Sequence, residues 1–211
     1  MKYNFVAIEG NIGAGKTTLS TMLAEHYNAR LVLEQFADNP FLPEFYKQPE
    51  KVAFPLELSF LADRYAQLKS DLVNLNLFSN ITIADYFIFK SKIFASNNLK
   101  EDELFLYHRL FDIVAASLPK PDLLIYLYLD VEQLQKNILK RGRSYETEIS
   151  SDYLEQIQSR YLSFLKTLPD QKILLIDMQG VDFVTDQNKF QQIVSLLSQT
   201  YASGITPITL L

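Results

Sequence analysis

Apolar positions along this chain follow two rhythms. Short, continuously apolar runs occur at "YNFVAI" (3–8), "RLVL" (30–33), "NITIA" (80–84), "DLLIYLYL" (122–129) and "KILLID" (172–177). Each has the length and content of a buried strand. Between them, apolar residues recur at steps of three and four, which predicts helices over 16–27, 86–96, 101–118, 131–142, 151–167 and 187–201. In the first of these, Leu19, Leu23 and Tyr27 share a face. The longest periodic stretch is Phe54, Leu58, Leu61, Tyr65, Leu68, Leu72 and Leu75. It predicts one long helix with Pro55 in its first turn, where a missing N–H costs little. "NPFLPEFYKQP" (39–49) is a proline-punctuated connection with room for a short helix, and "ITPITLL" is an apolar tail of undecided structure. Strands without a wet face, separated by helices, predict a three-layer α/β fold with a five-stranded parallel sheet covered on both sides. We expect a single domain over 1–211.

Composition narrows the partners. Nearly half of the 211 residues are apolar, and the formal net charge is −5 with both signs interspersed. A nucleic-acid surface would need clustered positive charge. No apolar run approaches the ~20 residues that span a bilayer. There is no cysteine, which excludes disulfides and thiolate metal sites. The first apolar run leads directly into a glycine-rich segment, as a buried strand does and a signal peptide does not. The expectation is a cytoplasmic protein with neither nucleic-acid nor membrane partners.

That glycine-rich segment carries the clearest chemistry. Gly10-Asn11-Ile12-Gly13-Ala14-Gly15-Lys16-Thr17 fits G-x-x-x-x-G-K-[ST], and Thr18 follows. It comes after a strand and opens a helix, so backbone N–H groups and the helix N-terminus can surround phosphate oxygens. Lys16 would reach the terminal phosphates, and the Thr17 hydroxyl would ligate Mg²⁺. The inference is binding of ATP or GTP. In a parallel sheet, ligands bind beyond the carboxyl ends of the strands. Gly10, Glu34 and Asp85 all fall just past such ends. His26 and His108 lie on helices away from that rim and are read as packed or solvated.

The form "EGNIGAGKTT" is narrower than the general phosphate loop and resembles that of the deoxynucleoside kinases. "LEQFADNPFLPEFY", "FPLELSFLADR", "IFASN" and "KRGRSYE" followed by "DYLEQIQSRY" match that family in order, over about residues 3–166. The resemblance implies a P-loop kinase fold with an arginine-containing lid at about 140–151. It also implies ATP- and Mg²⁺-dependent phosphorylation of a deoxynucleoside 5′-hydroxyl in nucleotide salvage, and a homodimer to which the long helix could contribute. Glu34 would be the base, Tyr46 and Glu146 would hold the sugar 3′-hydroxyl, and Arg141 and Arg143 would close over the γ-phosphate. Competing readings are a thymidylate kinase-like nucleoside monophosphate kinase and a kinase fold retained as an inactive nucleotide-binding or structural subunit.

The chain departs from the family pattern in two places. The family has an acid–arginine pair at the end of strand three. Here Ala84 and Asp85 stand at those positions, or Asp85 and Tyr86 after a one-residue slip, so the arginine is absent. Asp85 remains a candidate Mg²⁺ group. The second departure concerns the base. Glu57 and Arg64 are two turns apart on one helix face. The family has Gln in place of Glu57, and an Asp where this chain has Lys90. One explanation is that Glu57 is held by Arg64, Lys90 or both. An ionised Glu only accepts hydrogen bonds, which suits the two donors on guanine. A purine is therefore expected, with guanine slightly ahead.

Overall fold

The computed structural model describes residues 1–35, 39–73, 81–146 and 148–210. Six strands alternate with eight helices among these residues: β1 (Phe5–Gly10), α1 (Lys16–Tyr27), β2 (Arg30–Val32), α2 (Leu42–Phe45), α3 (Pro49–Val73), β3 (Thr82–Ala84), α4 (Phe89–Asn98), α5 (Glu101–Ala115), β4 (Leu123–Tyr128), α6 (Val131–Arg141), α7 (Ser151–Leu165), β5 (Lys172–Asp177), α8 (Gln187–Leu196) and β6 (Gly204–Thr209). A short 3₁₀ turn, Ser144–Glu146, follows α6. The strands form one sheet in the order β2-β3-β1-β4-β5-β6, and every pairing is parallel.

Alternation along each strand divides the core in two. Phe5 and Ala7 of β1, with Leu124 and Tyr126 of β4, face one layer, where α3, α4, α5 and α7 supply Leu56, Leu68, Ile93, Tyr107, Phe111, Ile157 and Tyr161. Val6 and Ile8, with Leu123, Ile125 and Leu127, face the other, against Leu19 and Leu23 of α1, Leu134 and Ile138 of α6, and Phe190 and Ile193 of α8. Because both faces are covered, the central strands contain almost no polar side chain. Glu9 in β1, at 1% exposure, and Thr82 in β3, at 3%, are exceptions.

Two sequence expectations need correction. The sheet has six strands rather than five. The apolar tail pairs with β5, Ile205 opposite Ile173 and Ile208 opposite Ile176. Pro207 obscured this strand, but a residue without an N–H is tolerated on a sheet edge. Pro55 lies in the interior of α3, because the helix begins at Pro49 and that proline takes the first turn. The carbonyl that Pro55 leaves without a helical partner belongs to Lys51, an exposed residue, so water can satisfy it. Of the apolar seam of α3, Leu61, Leu68 and Leu72 are buried in the core, while Phe54, Leu58 and Tyr65 are half-buried and pack against it. Leu75, assigned to the same seam, lies outside the described residues.

The order β2-β3-β1 sets three strand ends side by side, and they carry Glu34, Asp85 and the glycine-rich loop. That loop is fitted tightly against α6. Gly13 has φ +84, and a Cβ there would stand 2.7 Å from the Leu134 carbonyl oxygen. The Gly13 carbonyl accepts from Asn137 Nδ2 at 2.8 Å. Gly142, which ends α6, has φ +72 with nothing within 4 Å of such a Cβ. Replacing Gly142 by Ala should therefore cost only the left-handed backbone penalty, about 1–2 kcal/mol. Gly13→Ala should cost visibly more, since α6 backbone must move. Equal losses in urea denaturation would show that the loop–helix fit contributes nothing.

Candidate active site

The phosphate loop begins where β1 ends. Asn11 is buried and shapes it, donating from Nδ2 to the Leu154 carbonyl at 2.8 Å and accepting at Oδ1 from the Ile12 N–H. Ile12 lines the cavity below, and Ala14 packs into the core. Gly15, at φ +85, opens α1. Lys16 curls back on the loop, and its ammonium donates to the carbonyls of Gly10 (2.9 Å) and Asn11 (2.8 Å). Burial, then the neighbouring Lys90 cation, lower the Lys16 pKa to about 8. Thr17 donates to Asp85 Oδ2 at 2.5 Å, while Thr18 points to solvent. The other Asp85 oxygen accepts from the Glu34 backbone N–H at 2.7 Å. Asp85, 3% exposed, thus links the phosphate loop to the residue after strand two.

The Glu34 carboxylate is held by two cations. Arg64 reaches Oε1 through Nε (2.8 Å) and through a terminal nitrogen (2.7 Å), and Lys90 reaches Oε2 at 2.5 Å. Its side chain is only 6% exposed. Burial alone would raise its pKa, but Lys90 and Arg64 more than reverse this and hold it at about 2. Arg64 is itself fixed by a 2.8 Å hydrogen bond to Ser91 Oγ.

This arrangement corrects the sequence reading of Glu57. Neither Arg64 nor Lys90 forms an ion pair with it, because both are engaged by Glu34. Glu57 Oε1 instead accepts from Asn98 Nδ2 at 2.7 Å, and Oε2 is buried with no hydrogen-bond partner. With 1% exposure and no direct cation, its pKa is raised by burial to about 7, against the opposing charges of Arg64 and Lys90. Tyr86 does not stand in for the absent arginine at the rim. It is fully buried and donates to Gln67 Oε1 at 2.8 Å.

A lid closes the opposite side. Arg141, at the end of α6, forms an ion pair with Glu146 Oε2, and Arg143 contacts Glu146 Oε1 at 3.2 Å. Glu146 is 5% exposed. Tyr145 stacks on Tyr46 with rings 9° from parallel. One cavity is lined by Lys16, Thr17, Glu34, Tyr46, Glu57, Arg64, Asp85, Lys90, Arg141, Arg143 and Glu146, so the structure brings the sequence-assigned side chains together.

Sequence reasoning missed part of its wall. Leu56 and Phe60 of α3, Phe94 and Asn98 of α4, and Tyr153 of α7 also line the cavity. The signal was available as spacing: Lys90, Phe94 and Asn98 are four apart on α4, facing Glu57, Phe60 and Arg64 on α3. Glu9 was also missed. Its oxygens accept from the Phe87 N–H (2.8 Å) and the Tyr161 hydroxyl (2.9 Å), behind Lys16 and Lys90. Burial raises its pKa to about 7. An acid inside an otherwise apolar strand was the clue.

Comparison with known proteins agrees with this architecture. The family model described as deoxynucleoside kinase matches residues 6–201. The chain is 38% identical over 195 residues to a deoxyguanosine kinase of Bacillus subtilis (strain 168), covering 90% of this chain and 94% of that one. It is 29% identical over 204 residues to a deoxyadenosine kinase of Lactobacillus acidophilus, covering 92% and 94%. A solved deoxyadenosine kinase from M. mycoides with bound dATP superposes with a TM-score of 0.79 at 26% identity, covering 92% of this chain and 98% of the other. With this agreement along nearly its whole length, the chain belongs to the deoxynucleoside kinase family and is a phosphotransferase acting on deoxynucleosides.

Proposed function

We propose that this kinase transfers the γ-phosphoryl group of ATP to the 5′-hydroxyl of a purine deoxynucleoside, with deoxyguanosine preferred. The observation that carries the reading is the single cavity that joins the phosphate loop, the doubly clamped Glu34 and the partner-poor Glu57. The 38% identity to a deoxyguanosine kinase supports guanine.

ATP phosphates would take the Gly10–Thr18 loop. Lys16 would exchange its two backbone carbonyls for phosphate oxygens, which restores its full charge. Thr17 and Asp85 fit Mg²⁺: two hard oxygens adjoin the phosphate loop, and this ion is commonly held by one or two protein groups together with phosphates and water. Bound there, Mg²⁺ supplies charge neutralisation. Glu34 accepts the hydrogen bond of the 5′-hydroxyl, orients it for in-line attack and relays its proton to solvent as the new bond to the γ-phosphorus forms and the bond to the ADP leaving group breaks. With its pKa at about 2, it stays ionised as an acceptor at any working pH. Lys90, from α4, fixes Glu34 together with Arg64. Tyr46 and Glu146 receive the sugar 3′-hydroxyl, and Arg141 and Arg143 then turn to the transferred phosphoryl group.

The enzyme works as one domain in the cytoplasm and as a homodimer. Among the described residues no helix is long and apolar enough to cross a membrane. Support for association comes from α5, where Phe105, Leu106, Leu110 and Ile113 are exposed, Ile113 by 72%.

A panel of deoxynucleosides with ATP and Mg²⁺ should yield 5′-monophosphates, with the highest kcat/KM for deoxyguanosine. A folded protein that binds ATP but turns over none of them would reject the reading. Glu34→Gln should lower kcat by roughly 10²–10⁴-fold with a much smaller change in nucleoside KM. Lys90→Met should cost at least about tenfold in kcat, and Lys90→Arg should restore most of it. Full activity of Lys90→Met would remove the role assigned to that lysine. Ile113→Glu should sediment as a monomer where the unaltered protein sediments as a dimer; an unchanged sedimentation coefficient would move the interface elsewhere.

A further inference from the structure

Glu57 Oε2 is buried inside the substrate cavity without a partner, while Oε1 is fixed by Asn98. Phe60 from α3 and Phe94 from α4 line the same cavity, and their rings would form a slot in which a flat base could stack. The backbones of Glu57 and Arg64 are two helical turns, about 10 Å of axis, apart on α3, and Arg64 holds the Glu34 carboxylate. That span is on the order of a nucleoside. A base in the slot, with its 5′-oxygen near Glu34, therefore presents its far edge to Glu57.

Resting on the proposed function, we infer that Glu57 selects the base through its own proton. Ionised, it accepts from guanine N1–H and the 2-amino group. Protonated on Oε2, it donates to adenine N1 while Oε1 accepts from the 6-amino group. One side chain thus offers two complementary faces, and the proton taken from or returned to solvent on Oε2 decides which is shown.

The surroundings leave this proton free to move near neutrality. On its own helix Glu57 faces Arg64, and from α4 Lys90, but both cations are bound to Glu34. Asn98 of α4 is neutral. From α5, the Tyr107 hydroxyl lies 3.4 Å from the Glu57 backbone carbonyl, and burial raises its pKa. Tyr153 of α7 and Tyr46 after α2 are likewise raised by burial and stay protonated. Glu146, across the cavity, is paired with Arg141 and Arg143. Burial, partly offset by the Arg64 and Lys90 charges, places Glu57 at about 7. Above that value the carboxylate predominates, and below it the acid.

The test is competition between deoxyguanosine and deoxyadenosine between about pH 5.5 and 8.5. Titrations of Lys16, Glu9 and ATP affect both substrates equally and cancel in the ratio of their kcat/KM values. That ratio should rise by about tenfold per pH unit, and for Glu57→Gln it should be flat. A flat ratio in the unaltered enzyme, with turnover intact, would overturn the inference and leave the kinase reading standing. Calorimetric binding in two buffers of different ionisation enthalpy gives a second readout that needs neither turnover nor a folded variant. Above neutral pH, deoxyadenosine should bind with uptake of a proton and deoxyguanosine with none. Identical proton linkage for the two nucleosides would equally sink the idea.

Discussion

The site depends on a carboxylate that burial alone would neutralise. Glu34 lies at the strand ends in a nearly dry pocket, and two cations from two different helices keep it charged. Removing a carboxylate from water costs several kcal/mol, and here that cost is offset by direct contact with Arg64 and Lys90. The clamp also does structural work. Arg64 extends from α3 and Lys90 from α4, so the ion triad ties together the helices that wall the substrate cavity. Asp85 adds a third tie by holding both the Glu34 backbone and Thr17. The donor side, the acceptor carboxylate and the base slot are thereby registered against one another by these contacts together with the pairing of β2, β3 and β1.

A second buried carboxylate a short distance away has the opposite electrostatics. Glu57 is more deeply buried than Glu34 and shares a helix with Arg64, yet it has one neutral partner and an open oxygen. The two acids differ because the available cations are already used. A site with two buried acids and two cations could have paired them one to one. Concentrating both cations on Glu34 makes one acid a permanent anion and leaves the other to be completed by a ligand.

The layers, the placement of Gly10, Glu34 and Asp85 at strand ends and the phosphate loop were legible in the sequence, because short apolar runs and the Gly-x-x-x-x-Gly-Lys-Thr spacing depend on local physics; the strand order was not read from it. The run 172–177 and the helix 16–27 matched residue for residue. Pro207 hid the sixth strand, since propensity speaks against proline while edge geometry permits it. Two prolines six residues apart made the start of α3 ambiguous, and the chain placed the earlier one at the helix entrance. Within the site, residue types and positions were readable, but pairing was not. Arg64 had two acids within reach, and which one it meets depends on how α3 packs against α4 and β2, a tertiary outcome. Glu9 and Asn98 each left a local signal, an acid in an apolar strand and an i,i+4 spacing, but their partners, Tyr161 and Glu57, lie on distant segments.

The strand that the sequence left undecided also bears on how the molecule behaves in a crowd. Open sheet edges are templates for pairing with a neighbour's backbone. At one edge of this sheet, β2 is three residues long and carries Arg30, which is paired with Asp71. At the other, β6 has Pro207 near its middle. Both borders are poor partners for strand addition. Growth of the sheet from molecule to molecule is discouraged at either end, and contact between copies is left to helical faces, where it can be self-limiting.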